Sequence, residues 1–330
     1  MGEPLDDSFE VFSGGRAVSE NLALDRDLIL ATSEDGEAKP VPVTDIVGVT
    51  VAEIDWAGRL PEGEVAVRSV ALTGGDAFFP TGTDVALLFE TDKPDRLFDM
   101  LAKAIPLRSG MKGVESGGDD STIVSFVNAD RSVSSYLVKV RGLVAVANSP
   151  VQAERLTEVA LGKAEALGGT DEFRFFRSRY PLDEPGSAFV FLSDATIRRW
   201  AGPELRIGAS RRNRALAALN ELTSRAISGE AGDEDYAELL GKVERVDGMA
   251  RSEHFGDAGF LTPISELGIT EASVPEKDAY IRWRTGYEQG WSQVFDPIAL
   301  RLSIDEDGYD ADLTVLPLTV GSDYREMMAL

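Results

Sequence analysis

The chain has 330 residues, with 57 acidic and 33 basic side chains and a formal net charge of −24. A field of that sign repels phosphate backbones and anionic head groups, which excludes nucleic acid and membrane insertion from the expected partners. Cysteine is absent, removing disulfides, thiolate metal sites and cysteine nucleophiles, while 43% hydrophobic and 27% charged residues belong to a globular chain.

Residues 1–65 are acidic and broken by Gly and Pro, and short apolar runs at 27–31 and 47–54 predict strands there. Beyond them one unit recurs: an apolar run, a small polar residue, then a helical pattern. The run at 84–90 leads into Thr91, Asp92 and Pro94, with Leu97, Met100, Leu101 and Ala104 on one helical face and Pro106 as its end. The run at 143–147 leads into Asn148, Ser149 and Pro150, with Ala153, Leu156, Val159 and Ala160 on one face and Gly162 as its stop. The run at 188–192 leads into Ser193, Ile197 and Trp200, and stops at Gly202 and Pro203. Three such units predict helices packed on one face of a sheet.

The sheet itself reads as antiparallel. A turn at Arg141-Gly142 sets Val140 against Leu143, Val138 against Ala145 and Tyr136 against Ala147, and a strand at 122–127 extends this hairpin into a meander. Helices are predicted at 171–180, 210–228, 233–246 and 278–295. The last carries Tyr280, Trp283, Tyr287 and Trp291 at spacings of three and four, an aromatic face expected to stack into the core. Asp307-Gly308 predicts a second hairpin, with Ile304 opposite Ala311, Leu302 opposite Leu313 and Leu300 opposite Val315, all six on one apolar face. The same register sets Asp305 opposite Asp310, with Asp307 and Asp312 beside them. Those four aspartates are candidate metal ligands, with calcium the sharp reading and solvated repulsion the plain one.

The elements therefore predict an α+β fold on a largely antiparallel sheet of meander and hairpins, with helices packed on one face. Two halves are expected: 1–165, with a β-rich N-terminal segment, and 166–330, helix-rich and ending in the hairpin. They form either two units or one continuous domain. Neither a basic start followed by an apolar stretch nor an 18-residue apolar run occurs, so the sequence predicts a soluble chain without a signal or spanning segment and leaves its compartment open.

Three motifs carry a resemblance. Phe175-Phe176-Arg177-Ser178-Arg179-Tyr180, the stretch from Asp194 through Arg198, Arg199, Trp200, Gly202 and Pro203 to Arg206 and Ile207, and Phe295 through Ile298 to Arg301 resemble an uncharacterised family of large bacterial proteins. The stretch from Arg131 through Asn148 and Ser149 to Lys163 is similar to a broader group of exported bacterial domains of unknown function. The family brings no activity with it. Because its members are generally longer, the resemblance implies a chain that is part of a larger protein.

The chemistry the inventory permits is narrow. A single histidine, His254, must carry any histidine-centred catalysis, and a surface role is its expected one. The glycines at 73–76 and 116–118 lack the Lys-Ser/Thr ending of a phosphate loop, and no dinucleotide fingerprint follows a predicted strand, so no cofactor is expected. The feature left over is an arginine island. Arg198, Arg199, Arg206, Arg211, Arg212 and Arg214 stand against only Asp194 and Glu204 between 194 and 214. On a helix beginning at Ser210, three of these crowd a first turn that disfavours cations, so either acids from elsewhere in the chain or a bound anion must offset the cost. The sequence thus predicts a non-enzymatic binding or interaction module whose partner is a protein or a small anionic ligand held by these arginines. The alternative is a hydrolase using carboxylates and arginines on an anionic substrate, marked by a pocket where an arginine and an acid converge.

Overall fold

The structure, a computed structural model, describes residues 67–315 apart from 76–83, 110, 119, 129–130, 132, 182–187, 230–235, 247, 292–296 and 305–307. The strands expected at 27–31 and 47–54 lie outside the described residues.

Six strands, β1 (Val67–Gly74), β2 (Val85–Thr91), β3 (Val114–Gly118), β4 (Ser121–Val127), β5 (Ser134–Val140) and β6 (Leu143–Ala147), form an antiparallel sheet in the order β1-β2-β6-β5-β4-β3. The β5–β6 hairpin has the expected register, Val140 facing Leu143 and Tyr136 facing Ala147. Its two-residue turn puts Arg141 at φ 45 and Gly142 at φ 85, the pair of positive angles whose twist matches that of the flanking strands.

All three expected strand–helix units are present, although Ser149 makes no capping hydrogen bond with its side chain. α1 (Pro94–Ser109) follows β2, and α2 (Pro150–Ala160) follows β6. Helices cover both faces of this sheet rather than one. Leu97, Phe98, Leu101 and Ile105 of α1 pack on Val85, Leu87, Phe89, Leu137, Val144 and Val146. Ala153 and Leu156 of α2 pack on the alternate set, Ala86, Val138, Val140, Ala145 and Ala147. Period-two alternation in strands apolar on both sides makes this possible. Pro106 does not end α1, which runs on to Ser109. A proline in the last turn forfeits one backbone bond, and the buried face of the helix outweighs it.

A second, smaller sheet follows. α3 (Asp171–Arg179) lies against β7 (Ala188–Leu192), which pairs with β10 (Ile298–Ile304), itself paired with β11 (Tyr309–Val315). Phe176, Tyr180 and Ala299 are buried among Phe175, Phe189 and Phe191, so the aromatic motif is the core of this unit. Arg177 stacks over Phe189 at 4.2 Å and Arg301 over Tyr180 at 5.3 Å.

The C-terminal hairpin exists in a register two residues from the expected one. Leu302 faces Ala311 rather than Leu313, and Leu300 faces Leu313 rather than Val315. Four residues, 305–308, separate the last pair, Ile304 and Tyr309, where a two-residue turn was expected. An even shift keeps every side chain on its face. It also sets Asp310 opposite Ser303 and Asp312 opposite Arg301, exchanging like-charge pairs for an attractive one. The buried face is the one carrying Ala299, while Leu313 remains 61% exposed.

Between the sheets, α4 (Asp194–Trp200) is capped by Ser193, whose Oγ accepts from the Thr196 N–H at 3.1 Å. α5 (Pro203–Ile227) begins seven residues before the expected Ser210, because Pro203 starts this helix at N1 rather than merely stopping the previous one. Its Ala215, Ala218, Leu219 and Leu222 pack on Leu240, Ala250, Phe255, Leu261 and Leu267. The helix expected at 233–246 is one described turn, α6 (Ala237–Leu240), followed by strand β8 (Val243–Val246) paired with β9 (Met249–Ser252). Gly241, at φ 63, breaks it in a conformation that glycine adopts cheaply.

α7 (Val274–Trp291) starts earlier than expected, at a reciprocal cap. The Glu276 N–H donates to Ser273 Oγ at 3.4 Å, and the Ser273 N–H donates to Glu276 Oε2 at 2.9 Å. Tyr280, Trp283 and Tyr287 of its aromatic face are half-buried rather than in the core. Trp283 stacks on Tyr287 at 5.0 Å, and the Tyr280 hydroxyl donates to the Ala201 carbonyl at 3.1 Å. Among the described residues no helix is long and apolar enough to cross a membrane.

Candidate functional site

The end of β1 carries Gly74 and Gly75, and both must be small. A Cβ on Gly74 would meet the Asp84 backbone oxygen at 2.6 Å, and one on Gly75 would meet Asp84 Oδ2 at 2.8 Å and an Arg199 guanidinium nitrogen at 3.2 Å. The glycine pair, which matches no phosphate loop, thus lets an acid and a cation close over the strand end. Asp84 is 2% exposed. Its Oδ1 accepts from the Gly75 N–H at 2.9 Å and its Oδ2 from the Ser265 hydroxyl at 3.1 Å. Ser265 is delivered by a 3-10 turn, Ile264–Glu266, that packs against Gly208 of α5.

Arg199 arrives from the other side. It occupies the last turn of α4, and the tight passage through Ala201 and Gly202 into α5 points that turn at the sheet. A cavity of about 250 Å3 lies at this junction, lined by Gly75, Asp84, Arg199, Pro203, Leu205 and Ser265 among others. Glu204 and Ile264 also face it. Arg155, on α2, stands within electrostatic range of both Arg199 and Asp84. Partial burial, then the neighbouring Arg199, push its pKa below the usual guanidinium range, and Asp84 pulls the other way. Neither Arg155 nor Arg199 makes a hydrogen bond or an ion pair among the described residues.

The six island arginines have different surroundings. Arg198 pairs with Asp194 along α4 at 2.7 Å. Arg206 lies 3.7 Å over the Trp283 ring, where burial brings its pKa down to about 10 and leaves it charged at neutral pH. Arg211 and Arg214 reach Glu276 at 2.8 and 2.9 Å, and Arg211 also donates to the Glu271 carbonyl. Arg212 is 1% exposed on the inward face of α5. Since that helix begins at Pro203, none of the last three sits in a first turn, and the dipole cost expected there does not arise. Arg199 alone of the six lines the cavity.

Of the four candidate metal ligands, Asp305 and Asp307 lie outside the described residues, and Asp310 and Asp312 face Ser303 and Arg301. No cluster of three or more His, Asp or Glu side chains placed to hold a metal occurs among the described residues. His254 is exposed, edge-on to Phe255 at 4.7 Å. Ser252, two residues away, is fully buried and donates to the Leu240 carbonyl at 2.6 Å.

No protein-family model, curated protein or solved structure matches this chain.

Asp84, Gly75, Ser265 and Arg155 were not readable as a site. The one local signal was the glycine pair after a strand, which marks a close approach without saying of what.

Proposed function

We propose that this chain is a non-enzymatic binding module that takes a small anionic ligand in the cavity between β1, the α4–α5 junction and the Ile264–Glu266 turn. The observation that carries the reading is Arg199. It is a cation with no ion pair among the described residues, in the wall of a cavity, where a guanidinium fork suits a carboxylate or phosphate. The other island arginines support it by contrast, since Arg198, Arg211 and Arg214 have acids of their own.

The test is a thermal-shift titration of the full chain with small carboxylates, phosphate and sulfate. A rise in melting temperature that disappears in Arg199→Gln is expected. Arg211→Gln should melt lower than the parent yet keep the ligand-induced rise. If no anion moves the melting temperature, or if Arg199→Gln responds as the parent does, the reading fails.

One arrangement favours the alternative, a hydrolase on an anionic substrate: the Ser265 hydroxyl donates to the Asp84 carboxylate inside the same cavity. A carboxylate so placed can take the proton of a nucleophilic serine. Turnover of an anionic ester that is lost in Ser265→Ala would replace the binding reading.

A further inference from the structure

The cavity limits which anion it can hold, by size, charge, donor geometry and wall. At about 250 Å3 it falls below the 300–1,000 Å3 or so of drug-sized sites. A cavity of about 150 Å3 holds benzene, so this one suits about ten non-hydrogen atoms. Nucleotides, oligosaccharides and peptides longer than a residue or two exceed that volume, and only one end of such a molecule would enter.

Charge narrows the choice further. Two carboxylates, Asp84 and Glu204, line the cavity beside Arg199, and Arg155 lies close by. A single negative charge can pair with Arg199, whereas a second on the same ligand would face Asp84 and Glu204, with Arg155 as the one other cation described nearby.

The donors point the same way. The Gly75 N–H and the Ser265 hydroxyl already serve Asp84. Among the described side chains lining the cavity this leaves the Arg199 guanidinium. A planar fork with two parallel N–H groups matches a planar carboxylate, whereas a tetrahedral phosphate uses donors converging from several directions. The rest of the wall includes Pro203 and Leu205, which offer apolar surface to a hydrocarbon tail, with the buried Ile264 behind them.

We infer that the ligand is a small aliphatic monocarboxylate, its head group paired with Arg199 and its tail against Pro203 and Leu205. The inference rests on the anion-binding reading above and deepens it. Calorimetric titration of the full chain with acetate, pentanoate, inorganic phosphate and sulfate tests it.

Pentanoate should bind at least about tenfold more tightly than acetate, because burying three more methylenes is worth more than 1.4 kcal/mol. It should also exceed phosphate and sulfate by about tenfold or more. Arg199→Gln should abolish pentanoate binding, and Arg199→Lys, which keeps the charge but loses the fork, should weaken it about tenfold. Leu205→Ala should weaken pentanoate and leave acetate alone.

Phosphate or sulfate binding more tightly than pentanoate overturns this inference and leaves the anion-binding reading standing. Equal affinities for acetate and pentanoate overturn the tail assignment, and unchanged pentanoate binding in Arg199→Lys overturns the fork. Binding of none of the four overturns the inference and the reading beneath it together.

Discussion

Glu276 accepts from Arg211, from Arg214 and from the cap at Ser273; the Arg211 hydrogen bond foremost, then those from Ser273, hold its carboxyl down to about 2, from an ordinary 4.5, against the upward push of burial. Its side chain is only 9% exposed, so little of that shift is lost to solvent. A folded-state value below the unfolded one stabilises the fold above pH 4.5, and the gain drains away as pH falls toward 2. At 1.36 kcal/mol per unit the difference amounts to about 3 kcal/mol. Urea unfolding should therefore find Glu276→Gln less stable than the parent by about that amount at neutral pH, with the gap closing between pH 4.5 and 2. A gap unchanged at low pH would mean that the carboxylate charge is not what Arg211 and Arg214 read. The sequence reading began this helix at 278 and so found neither the cap at Ser273 and Glu276 nor its second role, gathering arginines from another helix.

At the scale of elements, α5 shows how packing overrules propensity. Gly208 sits in its second turn, and a Cβ there would lie 2.5 Å from Ile264 Cγ2 and 2.7 Å from Ile269 Cδ1. Helix propensity alone makes Gly208→Ala stabilising by about 1 kcal/mol. Overpacking against a stiff β-branched side chain costs about 1–3 kcal/mol, so the variant should melt lower than the parent. A higher melting temperature would mean that the Ile264–Glu266 turn yields freely, and the cavity wall with it. The C-terminal hairpin carries the same lesson in sheet form. Asp307-Gly308 marked the turn region correctly, but the turn length followed from pairing with β7 on the far side of β10 and from Arg301 facing Asp312. A two-stranded reading lacks the first constraint, and it left the second, which lies within the hairpin, unused.

For the whole molecule, the tie between the six-stranded sheet and the C-terminal half runs through Arg131. Held at φ 54, it makes a bidentate pair with Glu266 at 2.6 and 3.1 Å, lies 5.0 Å over the Phe260 ring, and approaches the Ser134 hydroxyl at 3.2 Å. Side-chain exposures of 19% and 12% place the pair mostly out of water, where removing one partner strands the other charge. Arg131→Met and Glu266→Gln should each cost about 3 kcal/mol, and a double-mutant cycle should return a coupling of about 2 kcal/mol. Additive single costs would show that this pair does not tie the halves, leaving packing and the Ser265–Asp84 hydrogen bond to do so. Because Glu266 ends the turn that carries Ser265, the same pair fixes the serine that holds Asp84 in the cavity.

What the sequence determined by itself was local. The β5–β6 register, the three strand–helix units and the α+β class follow from turn residues, alternation and helix-start residues that act over about ten residues. The partners of the charges were decided by the tertiary structure alone. Arg211 finds Glu276 across 65 positions, Arg131 finds Glu266 across 135, and Ser265 finds Asp84 across 181. In a chain with 57 acids, no pattern in the sequence singles out which carboxylate a given arginine will meet. Packing brings one of them within about 3 Å, and a Coulomb interaction that falls with distance and is screened by water rewards only that one.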